Sequence, residues 1–211
     1  MSGIRLETEA HLITGLSPAI KNVTRCVSDI GVNVSGIVFT GLASAEAVLT
    51  DTDKDLGVIL VDIGGGTTSV SVFLEGSCVY SSVIPIGAKK ISDDIAIGLQ
   101  ISVDSAEKVK YFVSKPKSEK VDSETKAIDE IDLLKLGISE ETKSVSRKTI
   151  VEGIIRPRLN EIFTMVNQVV KQSGFQGQSP AGVVITGGGS LTVLATESCR
   201  RVMQLPAKIG I

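Results

Sequence analysis

Two runs of apolar residues along this chain each lead into three consecutive glycines. The first run covers 56–63 and is followed by Gly64, Gly65 and Gly66, and the second covers 181–185 and is followed by Gly187, Gly188 and Gly189. A short continuous apolar run that ends in glycine is typical of a strand buried on both faces. The pattern therefore predicts two core strands that each end in a glycine-rich turn.

The chain before the first run alternates between strand-like and helix-like patterns. Residues 4–14 alternate apolar and polar positions and predict a strand, and 36–39 predict a shorter one. Ser17 and Pro18 predict the start of a helix that ends near Gly31. We expect this helix to bury four residues at helical spacing: Ile20, Val23, Val27 and Ile30. A second helix, rich in small residues, is predicted over 43–49.

The chain after the first glycine turn predicts a hairpin and then two helices. Strands are expected at 70–74 and 78–86, with Glu75 and Gly76 in the turn. Helices are expected at 89–99 and 103–113, the second of them capped by Ser102.

Residues 114–146 differ from the rest because they are rich in Lys, Glu, Ser, Thr and Asp. We interpret them as an exposed, partly mobile hairpin or loop on a small subdomain. A long helical stripe follows, from Val151 to Val169, and Pro157 should kink it or divide it in two. The second core strand and a helix to about Met203 complete an α/β pattern, which places ligands at the carboxyl ends of the strands.

The first glycine turn has the composition of a phosphate-binding loop. Glycine lets the backbone approach a phosphate because it has no Cβ, and successive backbone N–H groups can form an anion-binding concavity. Asp62 ends the strand and can hold Mg²⁺ through water, while Gly64, Gly65, Gly66, Thr67 and Thr68 supply donors. The second turn predicts a contact with the same nucleotide. Neither turn matches a Walker A or Rossmann motif.

Composition excludes several other classes of function. The formal net charge is −2 and Trp is absent, so neither a basic surface nor an aromatic platform indicates nucleic-acid binding. His11 is the only histidine, which argues against a histidine-based metal site or triad. No apolar run approaches the roughly 18 residues of a membrane span, and a cytoplasmic protein is expected.

For two sets of charged residues, residue type and spacing alone allow both a structural and a functional interpretation. Glu107 and Lys110 share one helix face, where such a pair is most often a solvated ion pair and a functional role is the alternative. Arg147, Arg156 and Arg158 flank Pro157 and form either a solvated basic surface or a partner-binding site.

Taken in order, the motifs closely resemble the FtsA family of bacterial actin-like cell-division proteins. The resemblance rests on GLASAEAVLT at 41–50, LGVILVDIGGGTT at 56–68, VIPIG at 83–87, DDIAIGL at 93–99, IIRPRLNEI at 154–162 and AGVVITGGG at 181–189. It covers nearly the whole chain except 114–145. The triple-glycine loop alone would indicate only the superfamily of actin, heat-shock chaperones and sugar kinases.

The resemblance implies an actin-like ATPase (ribonuclease H-like) α/β fold that comprises the second lobe and part of the first. Residues 1–50 would end the first lobe, 51–88 and 151–211 would form the nucleotide-binding core of the second, and 89–150 a smaller inserted subdomain. Full-length members also have a first phosphate loop, a further subdomain and a C-terminal amphipathic helix that attaches to the membrane. These are not recognisable here, so we expect a fragment.

The resemblance also implies the ligands. ATP and Mg²⁺ would bind with Asp62–Thr68 as the second phosphate loop and Gly187–Gly189 as the adenosine loop. Glu107 and Lys110 would contact the ribose and base, and Asp62 would be the catalytic and metal-binding carboxylate.

The implied partners are the C-terminal tail of FtsZ and further copies of the chain in filaments. Arg147, Arg158 and Glu161 match positions near the FtsZ-binding surface. The location would be cytoplasmic, on the inner face of the membrane at the division site.

Departures from the superfamily pattern indicate slow or absent hydrolysis. Thr40 and Gly41 stand where many actin-fold ATPases have an acidic residue and a proline, and Ser69 replaces an Asp. The alternatives are a phosphotransferase or chaperone ATPase of the same superfamily, or an actin-like pilus-assembly protein.

Overall fold

The computed structural model describes residues 5, 7–8, 10–115, 129–138 and 144–210. The α-helices are α1 (Ser17–Ser28), α2 (Thr40–Val48), α3 (Asp51–Leu56), α4 (Lys89–Leu99), α5 (Val103–Ser114), α6 (Arg156–Gln172) and α7 (Ala195–Met203). The strands are β1 (Val58–Ile63), β2 (Thr68–Leu74), β3 (Ser77–Ile84), β4 (Glu130–Asp132), β5 (Ser144–Ser146), β6 (Val183–Thr186) and β7 (Ala207–Ile209). Short 3₁₀ turns cover Leu134–Leu136 and Gly188–Leu191, and a π-helix covers Thr149–Ile155.

A five-stranded mixed sheet with strand order β3-β2-β1-β6-β7 lies at the centre of the fold. β1 pairs antiparallel with β2 and parallel with β6, and β6 pairs parallel with β7. β1 therefore lies in the middle of the sheet. Both core strands and the β2–β3 hairpin were predicted from the apolar pattern, and the structure confirms them.

The sequence of β1 is apolar from Val58 to Val61 because both faces of the strand are covered. Successive side chains of a strand point to opposite faces. Val58 and Leu60 pack with Ala45 of α2 on one face. Ile59 and Val61 belong to the larger core on the other face, with buried residues of α4, α5, α6 and α7.

The polar region at 114–146 buries more than its composition predicts. β4 and β5 form an antiparallel pair, which confirms the hairpin within the described part of this region. Ile131, Leu133 and Ile138 are buried in the same apolar cluster as β1, so the hairpin is attached to the main core. Residues 116–128 and 139–143, which were predicted to be exposed and partly mobile, lie outside the described residues. The division of the chain at 50, 88 and 150 stays a prediction.

Pro157 divides the long helical stripe, as predicted. The π-helix ends at Ile155, and α6 begins at Arg156 with the proline in its first turn. The N–H of Arg156 donates to the Val151 carbonyl of the π-helix, whereas Pro157 has no N–H to donate, and the π-helical hydrogen bonds end at this point.

Two predictions for the first forty residues are wrong. The described residues of 4–14, and all of 36–39, form no strand. α1 forms, but it buries none of its residues. Val23 in α1 is 69% exposed, and Ile30, two residues after the helix ends, is 77% exposed. A periodic pattern shows which side chains an element could bury, but burial also requires a packing partner. The described residues supply no such partner for α1.

The elements α3 and β7 were missed because they are too short to show a period. α3 has six residues and is held by a capping box, in which Thr50 Oγ1 accepts from the Asp53 N–H and the Asp53 carboxylate accepts from the Thr50 N–H. β7 has three residues and forms the edge of the sheet beside β6.

Candidate functional site

Both glycine turns lie at the same end of the sheet. β1 and β6 are parallel neighbours with Asp62 opposite Thr186, so the turns that follow them meet. Gly187 has φ +80°, and a Cβ there would collide with Asp62 Oδ1 and the Ile63 carbonyl. A Cβ at Gly189 would collide with the Ile63 side chain. Glycine at both positions therefore allows the second turn to pack directly against the end of β1.

The start of α4 holds the first glycine turn through backbone hydrogen bonds. The Ala88 N–H donates to the Gly64 carbonyl and the Lys89 N–H to the Gly65 carbonyl, each at 2.9 Å. A Cβ at Gly87 would lie only 2.5 Å from the Gly65 carbonyl oxygen, so glycine is required for this approach.

This arrangement leaves part of the turn open. Within the described structure the N–H groups of Gly65 and Gly66 donate to no backbone or side-chain acceptor, and a Cβ at either would meet no atom within 4 Å. Free, adjacent N–H groups in a turn are the donors that an anion requires.

A cavity of about 720 Å³ connects the two glycine turns with one face of α5. Six of the predicted site residues line it: Gly64, Gly65, Glu107, Lys110, Gly188 and Gly189. The α5 residues in the lining recur at helical spacing and lie on one face: Val103, Asp104, Glu107, Lys110, Tyr111 and Ser114. Lys115, which follows α5 directly, also lines the cavity. The cavity has the size and position expected of a ligand site in an α/β protein.

Glu107 and Lys110 form a network with Ser92 of α4. Lys110 Nζ donates to Glu107 Oε2 and to Ser92 Oγ, both at 2.8 Å, and the Ser92 hydroxyl donates to Glu107 Oε2. The Lys110 side chain is 13% exposed, whereas that of Glu107 is 58% exposed. Lys110 is thus occupied by protein acceptors, and Glu107 presents its carboxylate to the cavity.

The network keeps Glu107 ionised. Partial burial acts to raise the pKa of Glu107, but the hydrogen bonds from Lys110 and Ser92, together with the charge of Lys110, lower it below the usual 4.5. Ser92 was not predicted as a site residue. No sequence pattern could have found it, because it reaches Glu107 from another helix.

The remaining predicted loop residues do not line the cavity. Thr68 is fully buried, and its hydroxyl donates to the Ile86 carbonyl at 2.8 Å. Asp62 is half-buried, and its Oδ2 accepts from Ser44 Oγ of α2 at 2.7 Å. Gly66, Thr67 and Gly187 also lie outside the lining. The hydroxyl of Thr68 therefore stabilises the turn rather than facing a ligand.

The described residues contain no cluster of three or more His, Cys, Asp or Glu side chains that could hold a metal ion. Asp62 is thus a single carboxylate. Mg²⁺ commonly binds through one or two carboxylates together with substrate phosphates and water, so this site would suit the ion only with a phosphate ligand.

The three predicted partner-binding residues all have contacts within the protein. Arg158 forms a bidentate ion pair with Asp94 of α4, at 2.5 and 2.9 Å, and also pairs with Glu161. One Arg147 Nη donates to the Val113 carbonyl at 2.7 Å. Arg158 therefore links α4 to α6.

Comparison with known proteins identifies the family. The family described as cell division protein FtsA matches residues 59–211. The chain is 36% identical over its whole length to the cell division protein FtsA of Pseudomonas aeruginosa and also to that of Neisseria meningitidis. The chain belongs to the FtsA family. It spans about half the length of these curated FtsA relatives, 49% and 50% respectively.

The fold of this FtsA-family chain agrees with solved actin-like structures. MreB 5 of Spiroplasma citri bound to AMPPNP superposes with a TM-score of 0.66 at 23% identity, over 92% of this chain and 59% of that one. The predicted actin-like α/β fold is confirmed. No helix in the described part of the chain is long and apolar enough to cross a membrane.

Replacing Lys110 by Met tests the network in the cavity. We expect the pKa of Glu107 to rise, because its carboxylate loses the hydrogen bond and the positive charge of Lys110, while Met keeps a side chain of similar length. Since the pKa of Glu107 is lowered by folding, the stabilisation is complete above about pH 4.5 and is lost as the pH falls through the lowered value. Carboxyl-carbon NMR during an acid titration measures the pKa.

Lys108→Met is the matched control, because Lys108 is exposed on the same helix. An unchanged Glu107 pKa in Lys110→Met, or an equal rise in both variants, would contradict the network.

Proposed function

We propose that this member of the FtsA family binds ATP with Mg²⁺ in the cavity between its glycine turns. In the whole protein it would act as an actin-like scaffold that attaches FtsZ filaments to the cytoplasmic face of the membrane at the division site. The main support for the proposal is that residues of both glycine turns and Glu107 line the same cavity. The FtsA family assignment favours cell division over a kinase, chaperone or pilus role.

The lining of the cavity suits the parts of a nucleotide. The free N–H groups of Gly65, which lines the cavity, and of the adjacent Gly66 suit phosphate oxygens. The Lys89 side chain lies at the start of α4, where the helix dipole also favours an anion. Glu107 can accept hydrogen bonds from the hydroxyls of a ribose. Asp62 would hold Mg²⁺ through water beside the phosphates.

The proposed hydrolysis is slow or absent because the structure offers few groups to activate water. The acidic residues that line the cavity, Asp104 and Glu107, both belong to α5 and not to the glycine turns. Asp62 has one oxygen bonded to Ser44 and the other against Gly187. A general base must reach the proton that it removes, and no described carboxylate lines the cavity at the phosphate turn.

Replacing Gly65 by Val tests the ATP site. The backbone of Gly65 needs no special conformation and its Cβ position is open, so the variant should fold while its side chain fills the space for phosphate. We expect calorimetry to show saturable binding of Mg²⁺–ATP to the unaltered chain and a loss of at least about tenfold in the variant.

Gly36→Val is the control, since Gly36 is equally open and lies outside this cavity. Absence of ATP binding in the unaltered, folded chain would overturn the proposal, as would equal binding by Gly65→Val.

Replacing Arg158 by Ala tests the proposed FtsZ site. If Arg158 contacts the acidic or polar groups of a partner, a labelled C-terminal peptide of FtsZ should bind the unaltered chain and bind the variant more weakly in fluorescence anisotropy. Asp94→Ala breaks the same α4–α6 ion pair but leaves Arg158 in place. We therefore expect this control to retain more binding than Arg158→Ala.

Equal loss in both variants would show that Arg158 acts only through the fold. No binding of the peptide to the folded chain would contradict the assignment of FtsZ as the partner.

A further inference from the structure

Ser114, at the end of α5, joins two walls of the cavity. Its Oγ donates to the Lys110 carbonyl at 2.7 Å and accepts from the Val193 N–H at 3.1 Å. The second bond connects residues 79 positions apart in the chain. Val193 follows directly on Thr192, which lines the cavity together with Ser114.

The bond to Val193 links α5 to a segment that also packs on the core. Val193 and Leu194 lie against the main apolar cluster, and the Ala195 N–H donates to the Thr192 carbonyl at 3.0 Å. The 3₁₀ turn Gly188–Leu191 ends beside this segment, and the Thr192 N–H donates back to the Gly189 carbonyl. Among the described groups, Ser114 Oγ is the acceptor for the Val193 N–H. Ser114 therefore provides a direct hydrogen bond between the end of α5 and the chain that leaves the second glycine turn.

The position of this bond along α5 separates it from the phosphate turn. Lys110 Nζ lies 3.4 Å from the carbonyl of Ala88, whose N–H holds the first glycine turn. Ser114 is one helical turn further on, among the cavity residues Tyr111 and Leu191. Aromatic and aliphatic side chains suit a flat nucleobase rather than a phosphate.

We propose that Ser114 is a positioning residue that sets the width of the cavity for the nucleoside part of a bound nucleotide. This inference rests on the proposed binding of ATP. It assigns no contact with the phosphates, which would be held by the N–H groups of Gly65 and Gly66. A ligand with a base and a ribose should therefore depend on Ser114, and a bare polyphosphate should not.

Ser114→Ala tests the proposal on the full 211-residue chain. We expect calorimetry to show about fivefold weaker binding of Mg²⁺–ATP, the loss expected for one net hydrogen bond, with unchanged binding of Mg²⁺–tripolyphosphate. Amide hydrogen exchange at Val193 should be faster in the ligand-free variant, since its N–H has lost its acceptor. Ser114→Thr, which keeps a hydroxyl, should restore both properties.

Thr164→Ala is a matched control. The Thr164 hydroxyl donates to the carbonyl four residues earlier in α6, as that of Ser114 does in α5, and it accepts no bond from a distant segment among the described residues. The control should leave ATP binding and Val193 exchange unchanged.

Several outcomes would overturn the proposal. Unchanged ATP binding or unchanged Val193 exchange in Ser114→Ala would do so, and an equal loss of tripolyphosphate binding would show a general disturbance of the site. If the unaltered chain binds tripolyphosphate but not ATP, or binds neither, the proposed function fails, and this inference fails with it. If the unaltered chain binds ATP and Ser114→Ala binds it equally well, only this inference fails.

Discussion

The parallel pairing of β1 with β6 is the constraint on which the candidate site depends. It places Asp62 opposite Thr186, so two turns that are more than 100 residues apart in sequence leave the sheet at one point. The second turn lies directly against the end of β1, which requires glycine because a Cβ at Gly187 or Gly189 would collide with Asp62 or Ile63. Buried apolar side chains on both faces of β1 anchor the strand between the two apolar clusters.

The glycines of the two turns therefore serve two different purposes. Those that would collide with neighbouring atoms, Gly187 and Gly189, allow close packing. Those with open space around them, Gly65 and Gly66, keep unpaired N–H groups accessible. Three adjacent glycines cost conformational entropy on folding, and a turn needed only for packing would not require open positions. The open glycines are for this reason the strongest structural argument for an anionic ligand in this FtsA-family chain.

Much of the central sheet could be predicted from the sequence, because a strand covered on both faces is apolar throughout and a glycine turn marks its end. The behaviour of α1 could not be predicted, since its apolar stripe does not reveal whether another segment covers it. The spacing of Glu107 and Lys110 predicted a pair on one helix face, but Ser92, which completes the network, comes from α4. The bond from Ser114 to Val193 crosses 79 residues and leaves no signal in either segment. These hydrogen bonds between side chains and distant segments depend on the packed fold, and sequence reasoning missed them although it predicted the two glycine turns at one site.

Mapping the effect of Mg²⁺–ATP on the backbone amide NMR spectrum of the folded chain tests the nucleotide site most directly. We expect saturable shifts that are largest at Gly65 and Gly66, with further shifts at Gly188 and along the α5 face that carries Glu107. Residues of α1, which lie away from the cavity, should not shift. Shifts confined to α1, or a spectrum unchanged at saturating nucleotide, would contradict the claim that the two glycine turns form a nucleotide site.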